Sequence, residues 1–115
     1  MIADNPVIGV VGPCASGKST LVAALRLLGY EVRHIAQEHS YVSEMWQIIC
    51  NPDFLIYLDV SFEVSAFRTG TNWFQGIFNN QIHRLDHARN NADLYILTDD
   101  LTPDQVLNQV LNILD

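Results

Sequence analysis

The sequence predicts an α/β fold in which a small parallel sheet of about four strands carries helices on both faces. Short apolar runs of strand length alternate along the chain with segments whose apolar residues recur at helical spacing. The run at residues 54–59 is apolar until its last position, as expected of a strand that is buried on both faces. The chain has 115 residues, so residues 1–115 are predicted to form one minimal domain around a single core.

The first two predicted strands are separated by a glycine-rich turn and a helix. Residues 7–11 are a short apolar strand, and the leucines of the following helix recur at helical spacing until Gly29 ends it. Residues 32–37 have the mixed polarity of a strand at the edge of a sheet.

The next helix is predicted at residues 41–50, where Ser40 can serve as the N-cap and Pro52 prevents continuation. One side of this segment is apolar, and we expect it to pack into the core rather than bind a ligand. That side consists of Val42, Met45, Trp46 and Ile49.

Two helices are predicted after the strand at residues 54–59. Ser61 can cap a short helix that ends near Arg68, with Glu63 in its first turn, and residues 69–72 follow as a loop. Asn72 can then cap a longer helix, roughly residues 73–90, whose apolar residues keep the helical period.

The last strand is predicted at residues 94–97. Residues 102–105, Thr-Pro-Asp-Gln, read as a capping box with proline at the first position of a closing helix. Right-handed crossovers then place the strand at residues 7–11 between those at 32–37 and 54–58, with residues 94–97 outside the latter.

The turn after the first strand carries the clearest functional signal. Residues 12–20 read Gly-Pro-Cys-Ala-Ser-Gly-Lys-Ser-Thr, which fits the phosphate-binding loop pattern. Glycines let the backbone wrap an anion, Lys18 can reach the outer phosphates, and the Ser19 hydroxyl suits Mg²⁺. The N-terminus of the following helix adds partial positive charge. The predicted phosphate-binding residues are Gly12, Ala15, Ser16, Gly17, Lys18, Ser19 and Thr20.

These residues resemble the P-loop kinase family, in particular nucleoside and nucleotide kinases and dephospho-coenzyme A kinase. The resemblance covers residues 8–21 and, less specifically, residues 51–64, which are similar to the strand and helix start that precede the family's lid. It implies a three-layer P-loop NTPase sandwich that binds ATP with Mg²⁺. Arg68 falls where these kinases place an arginine that touches adenine or phosphates, so the resemblance implies a catalytic role for it.

The chain also departs from the family pattern. Family members are longer, with an acceptor-binding insertion and usually a further strand, and both are reduced or missing here. The lid is cut to about residues 68–73, so the usual run of lid arginines is absent. These departures support nucleotide binding better than phosphoryl transfer, and we expect a poor kinase for nucleoside monophosphates.

Two carboxylates compete for the metal-side position beside Ser19. By pattern alone, Asp59 ends an apolar strand and looks like the Mg²⁺-orienting aspartate of a Walker B segment. The family resemblance instead places residues 32–37 beside the loop strand, which makes Glu38 the metal-side residue or the base. Both assignments stay open at this stage. A histidine such as His34 or His39 is more often structural or solvent-facing than catalytic.

Composition excludes several classes of partner. The formal net charge is −7 and Lys18 is the only lysine, so nonspecific binding to nucleic acid is not expected. The sequence offers no apolar run of membrane-spanning length and no signal peptide, and a cytoplasmic protein is predicted.

Cys14 and Cys50 are expected to be reduced, with Cys14 a small spacer in the loop rather than a reactive thiol, and no Cys/His spacing indicates zinc.

The leading hypothesis is therefore a minimal kinase-like protein that binds ATP with Mg²⁺ and transfers or hydrolyses the γ-phosphate, with Lys18, Glu38, Asp59 and Arg68 as catalytic candidates. The rival is a nucleotide-binding sensor or subunit with little or no turnover. A GTP-binding switch is the weakest alternative, because no Asn-Lys-x-Asp sequence is present.

Overall fold

Four parallel strands form one sheet in the computed structural model, which describes residues 5–70 and 75–114. The strands are β1 (Val7–Val11), β2 (Glu31–His34), β3 (Phe54–Asp59) and β4 (Leu94–Leu97), in the spatial order β2-β1-β3-β4. This order confirms the predicted sheet. It places β2 beside β1 and leaves β2 and β4 at the two edges.

Six α-helices and one 3₁₀ turn connect or follow the strands within the described residues. They are α1 (Lys18–Leu27), the 3₁₀ turn (Gln37–His39), α2 (Met45–Ile49), α3 (Phe62–Thr69), α4 (Gln75–Arg84), α5 (Asp86–Asn90) and α6 (Pro103–Leu114). Among these described helices, none is long and apolar enough to cross a membrane.

Helices cover both faces of the sheet. On one face, Ile8, Val10 and Ile56 pack in a buried cluster with α1 and α6. On the other face, Leu55 and Tyr57 pack against residues of α2 and α5. Successive residues of β3 point to opposite faces, so this continuously apolar strand contributes Ile56 to one cluster and Leu55 and Tyr57 to the other. The layers are helix, sheet and helix, as expected of an α/β fold.

Several predicted helix ends are confirmed by their hydrogen bonds. Gly29 follows the end of α1 with a φ of 94°, a conformation that costs glycine little. The Ser61 hydroxyl accepts from the Val64 N–H at 3.2 Å and caps α3. Thr102 and Gln105 exchange side-chain and backbone hydrogen bonds before α6, which is the predicted capping box.

The segment after β2 differs from the prediction. The predicted strand at residues 32–37 ends at His34, and the chain then turns because the buried Gln37 side chain bonds the backbone around it. Gln37 Nε2 donates to the carbonyls of Val42 and Arg84, and Gln37 Oε1 accepts from the Trp46 N–H. The Gln37 side chain thus forms hydrogen bonds with three backbone groups of later segments, and these bonds keep residues 37–39 out of the strand.

The predicted helix at residues 41–50 is shorter than expected. It begins only at Met45, because Ser40 caps no helix and instead exchanges hydrogen bonds with Val42 in a local turn. The proposed apolar face is correct for the buried Trp46, but Val42 and Ile49 are 42% and 73% exposed. The prediction that this whole face packs into the core was wrong.

The predicted helix at residues 73–90 is divided at Leu85. The Leu85 N–H lies 3.1 Å from the Gln81 carbonyl and 3.2 Å from the Ile82 carbonyl, so the helix tightens there before α5 begins. The proposed cap at Asn72 lies outside the described residues. Leu85 itself is fully buried.

Candidate functional site

The predicted functional residues gather at the carboxyl edge of the sheet. Parallel strands end on the same side, so the segments that follow all four strands meet there. The glycine loop, defined here as residues 12–17, follows β1, and Glu38 follows β2. Asp59 is the last residue of β3, and Thr98 follows β4 directly.

The glycine loop requires its two glycines for different reasons. A Cβ at Gly12 would lie 2.1 Å from the Leu58 carbonyl oxygen, so only glycine lets the loop pass this close to β3. Gly17 has a φ of 101° and forms the N-cap of α1. Ala15 also adopts a positive φ, of 64°, which a residue with a Cβ rarely takes. The strained backbone is therefore held by contacts from the rest of the protein.

Three side chains hold consecutive loop carbonyls from outside the loop. The carbonyls of residues 14–16 accept, in order, from Ser65 Oγ, Arg68 Nη1 and Thr98 Oγ1, each at 2.9 Å. In a planar trans peptide the next N–H points away from the carbonyl, so these bonds turn the N–H groups of Ala15 and Gly17 toward the inside of the loop, while the Ser16 N–H donates to the Pro13 carbonyl at 3.2 Å. Within the described residues, no side chain caps α1, whose first-turn N–H groups have no intrahelical partner. Donors thus converge on a cradle that suits an anion.

Arg68 acts on the loop through two of its nitrogen atoms. Nη1 donates to the Ala15 carbonyl and, at 3.0 Å, to Thr98 Oγ1. Nη2 donates to the Thr98 carbonyl at 2.6 Å. In this structure the arginine anchors the loop to β4, whereas its predicted contact with adenine or phosphates stays a prediction.

Gln81 of α4 also holds the loop, through Cys14. Its Oε1 accepts from the Cys14 N–H at 3.0 Å, and its Nε2 donates to Cys14 Sγ at 3.2 Å. Gln81 is 3% exposed. A buried amide that binds both the backbone and the sulfur of one residue fixes the position of that residue.

Lys18 and Glu38 form a buried ion pair beside the cradle. Lys18 Nζ lies 2.6 Å from Glu38 Oε2 and donates to the Gly12 carbonyl at 2.5 Å. The other carboxylate oxygen, Oε1, is buried and has no hydrogen-bond partner among the described residues.

Burial lowers the pKa of the neighbouring His34, and the charge of Lys18 lowers it further, so this imidazole is neutral at neutral pH.

Both carboxylate oxygens of Asp59 accept hydrogen bonds, one of them from β4. Its Oδ1 accepts from the Val60 N–H, and its Oδ2 accepts from the Tyr95 hydroxyl. Burial and this hydrogen bond raise the pKa of Tyr95, which therefore stays a donor at neutral pH. Of the two carboxylates that the sequence left open, Glu38 contacts Lys18, while both oxygens of Asp59 accept hydrogen bonds elsewhere.

Two adjoining cavities share part of the glycine loop. The smaller has a volume of about 310 Å³ and contains Ser19, Thr20, Lys18, His34 and Glu38 in its lining. The larger has a volume of about 470 Å³ and is mostly apolar, with Leu21 and Ala24 of α1 opposite residues of α6. Residues shared by the two linings are Ala15, Ser16, Gly17 and Thr20.

Some residues of the site were not predicted from the sequence. Thr98 carried a usable signal, because it directly follows an apolar strand and the carboxyl ends of strands converge. Ser65 and Gln81 carried none, since each is a polar residue within a helix. His34 was interpreted as structural or solvent-facing; it is exposed, and it also lines the smaller cavity.

Comparison with protein-family models and with curated proteins found no match to this chain.

Replacing Thr98 by valine should lower the free energy of unfolding by about 1–3 kcal/mol, because the Ser16 carbonyl and Arg68 Nη1 lose a buried partner. Thr98→Ser keeps the hydroxyl and should cost only about 1 kcal/mol for the lost methyl group. Urea denaturation of both variants measures the difference. If the valine variant is as stable as the serine variant, the hydroxyl does not hold the loop.

Proposed function

We propose that this protein is a P-loop protein of the kinase-like group that binds a nucleoside triphosphate, with ATP and Mg²⁺ as the expected ligand. One observation carries the proposal: three consecutive loop carbonyls are held from outside, which turns the N–H groups of Ala15 and Gly17 inward. A loop built in this way, followed by Lys18 and the N-terminus of α1, has the donors and the positive charge that phosphates require. In a chain of net charge −7, such a local feature must supply the attraction.

Lys18 is the residue that would neutralise the outer phosphates. Its ammonium group now contacts Glu38 and the Gly12 carbonyl, so it lies at the smaller cavity with the loop. An incoming triphosphate would compete with Glu38 for this charge. Once Lys18 binds the phosphates, the Glu38 carboxylate becomes available to a cation. A magnesium–nucleotide complex needs this arrangement.

The described residues fit Mg²⁺ through oxygen donors. Ser19 supplies a hydroxyl in the first turn of α1, and Glu38 supplies an oxygen without a hydrogen-bond partner among the described residues. Oxygen ligands are those that Mg²⁺ prefers, usually together with phosphate oxygens and water. When bound, Mg²⁺ supplies charge neutralisation at the phosphates, and Ser19 and Glu38 would position it. Asp59 remains the alternative, although its two oxygens are already engaged.

The larger cavity supports binding of the nucleoside part. It adjoins the smaller cavity through shared loop residues and is lined by apolar side chains of α1 and α6, which suits a flat aromatic base. Its volume of about 470 Å³ lies within the usual range for small-molecule sites. Phosphates in one cavity and a base in the other would occupy both sides of the loop.

A second candidate function is nucleotide binding with little turnover, and the role of Arg68 favours it. Both Nη atoms of Arg68 are bonded to Ala15 or Thr98. An arginine that anchors the loop is not free to stabilise a transferred phosphoryl group, which is the task of an arginine in phosphoryl transfer. A sensor, or a subunit completed by a partner, would need the cradle but would not need an arginine that stabilises a transferred phosphoryl group.

Removing the lysine tests the phosphate site. Lys18→Ala alone would leave the Glu38 carboxylate buried and unpaired, so Glu38→Gln is compared with the double variant Lys18→Ala/Glu38→Gln. Loss of Lys18 should weaken binding of MgATP about tenfold to a hundredfold, measured by calorimetry. Arg33→Ala removes a charge from an exposed pair and serves as the control. If Glu38→Gln and the double variant bind MgATP with equal affinity, Lys18 does not have the proposed role.

Filling the larger cavity tests the base site. Ala24→Trp places a large ring in this cavity, whereas Ala23→Trp places the same ring on the exposed side of α1. We expect only Ala24→Trp to weaken ATP binding, and neither variant to weaken inorganic triphosphate binding, because the phosphates lie in the other cavity. Calorimetry with both ligands measures this. A similar loss of ATP affinity in both variants would place the base elsewhere.

Phosphorus NMR of the protein with MgATP separates the two candidate functions. We expect the resonances of bound ATP, little ADP, and no transfer to nucleoside monophosphates. Transfer requires the acceptor to be held in line with the γ-phosphate, an arrangement that contributes about 7–11 kcal/mol of barrier reduction. Brisk formation of ADP that depends on a monophosphate would identify a kinase and contradict the binding module. Unchanged ATP resonances would contradict both.

A further inference from the structure

Three side chains of different chemistry lie close together beside the smaller cavity, and two of them, Cys14 and Glu38, are in its lining. Cys14 Sγ, a carboxylate oxygen of Glu38 and a ring nitrogen of His39 all lie within 4.8 Å of one another. Cys14 belongs to the glycine loop, whereas the other two residues belong to the 3₁₀ turn after β2. We propose that these three side chains form a binding site for a divalent transition metal of the Zn²⁺ class.

The donor set determines the class of metal. A thiolate and an imidazole are ligands that Zn²⁺ and its substitute Co²⁺ accept, whereas Mg²⁺ and Ca²⁺ bind oxygen almost exclusively. The set therefore differs in chemistry from the Ser19 and Glu38 oxygens proposed above for Mg²⁺. Cys14 and Glu38 are 24 positions apart, which explains why no short Cys/His spacing marks the site in the sequence.

The geometry needs only a small adjustment. Donor atoms around a tetrahedral Zn²⁺ lie about 3.3–3.8 Å apart, given bonds of about 2.0–2.3 Å. His39 Nε2 is already 3.9 Å from Glu38 Oε2, the oxygen that also binds Lys18 Nζ. The His39 side chain is 62% exposed, so its ring can rotate toward the cluster without displacing core residues.

Glu38 gives an independent reason to expect a ligand. Its side chain is 6% exposed, and Oε1 has no hydrogen-bond partner among the described residues, although Oε2 is paired with Lys18. A buried carboxylate oxygen without a donor is costly. A cation bound between Cys14 and His39 would give this carboxylate a second partner.

The residues around the cluster support the ligands. Gln81 donates to Cys14 Sγ and also accepts from the Cys14 N–H, which orients the sulfur. Arg84 Nη1 donates to the Glu38 carbonyl at 3.3 Å and helps to hold the 3₁₀ turn. Such contacts to metal ligands commonly change affinity by about tenfold to a hundredfold.

The metal site has a consequence for nucleotide binding, and this consequence rests on the proposed function. Glu38 would serve both Mg²⁺ in the nucleotide complex and Zn²⁺ in the cluster. Because one carboxylate cannot fill both positions without cost, Zn²⁺ and MgATP should weaken the binding of each other. The metal site would thus make the nucleotide affinity depend on free Zn²⁺.

Zinc uptake by the full chain without nucleotide tests the site directly. Competition with a chromophoric chelator should show one Zn²⁺ bound per chain, with an affinity at least about tenfold lower in Cys14→Ser and in His39→Ala. Cys50→Ser and His83→Ala are the matched controls and should retain the original affinity. With Co²⁺, a thiolate-to-cobalt absorption band should appear in the original chain and in the controls, and be absent from Cys14→Ser.

Two results would overturn the metal site: no Zn²⁺ uptake by the original chain, or equal affinities in the cluster variants and their controls. The antagonism is measured separately, as MgATP affinity with free Zn²⁺ set by a metal buffer. We expect Zn²⁺ to weaken MgATP binding in the original chain and to have little effect in His39→Ala. A chain that binds Zn²⁺ at Cys14 but never binds MgATP would support the metal site and contradict the proposed function.

Discussion

The outward anchoring of the glycine-loop carbonyls is the constraint on which the rest of the site depends. A loop of glycine and small residues has many conformations, and its N–H groups converge only if its carbonyls are held elsewhere. Here Ser65 and Arg68 of α3 and Thr98 after β4 hold three carbonyls in succession, while Gln81 of α4 binds Cys14. Helices α3 and α4 therefore have a function beyond covering the core: their side chains help to determine where the loop donors point.

Most of the fold could be predicted because its signals are local. The apolar runs gave three of the four strands, the mixed polarity of β2 gave its edge position, and the handedness of crossovers gave the strand order. The caps of α3 and α6 were predictable because each uses a side chain within three positions of the backbone group it binds. The glycine loop was also predictable, since its pattern fixes residue types at fixed spacing.

The remaining features depend on contacts between distant parts of the chain. Gln37 ends β2 early by binding the backbone of later segments, and nothing in its neighbourhood in the sequence indicates this. The same applies to Arg68, whose contacts with Ala15 and Thr98 link positions 53 and 30 apart. The partners of Glu38 and Asp59 could not be predicted either, because Lys18 and Tyr95 lie 20 and 36 positions away from the carboxylates they bind.

The anchored loop also bears on how the protein is made. The residues that hold the loop are synthesised long after it: Ser65, Arg68, Gln81 and Thr98 follow their loop partners by 51, 53, 67 and 82 positions. Synthesis proceeds from the N-terminus at about 5–20 residues per second, so the loop leaves the ribosome before any of these four side chains. A nascent chain paused before Thr98 would contain the whole glycine motif and still lack its geometry, so the cradle becomes complete only after β4 has emerged.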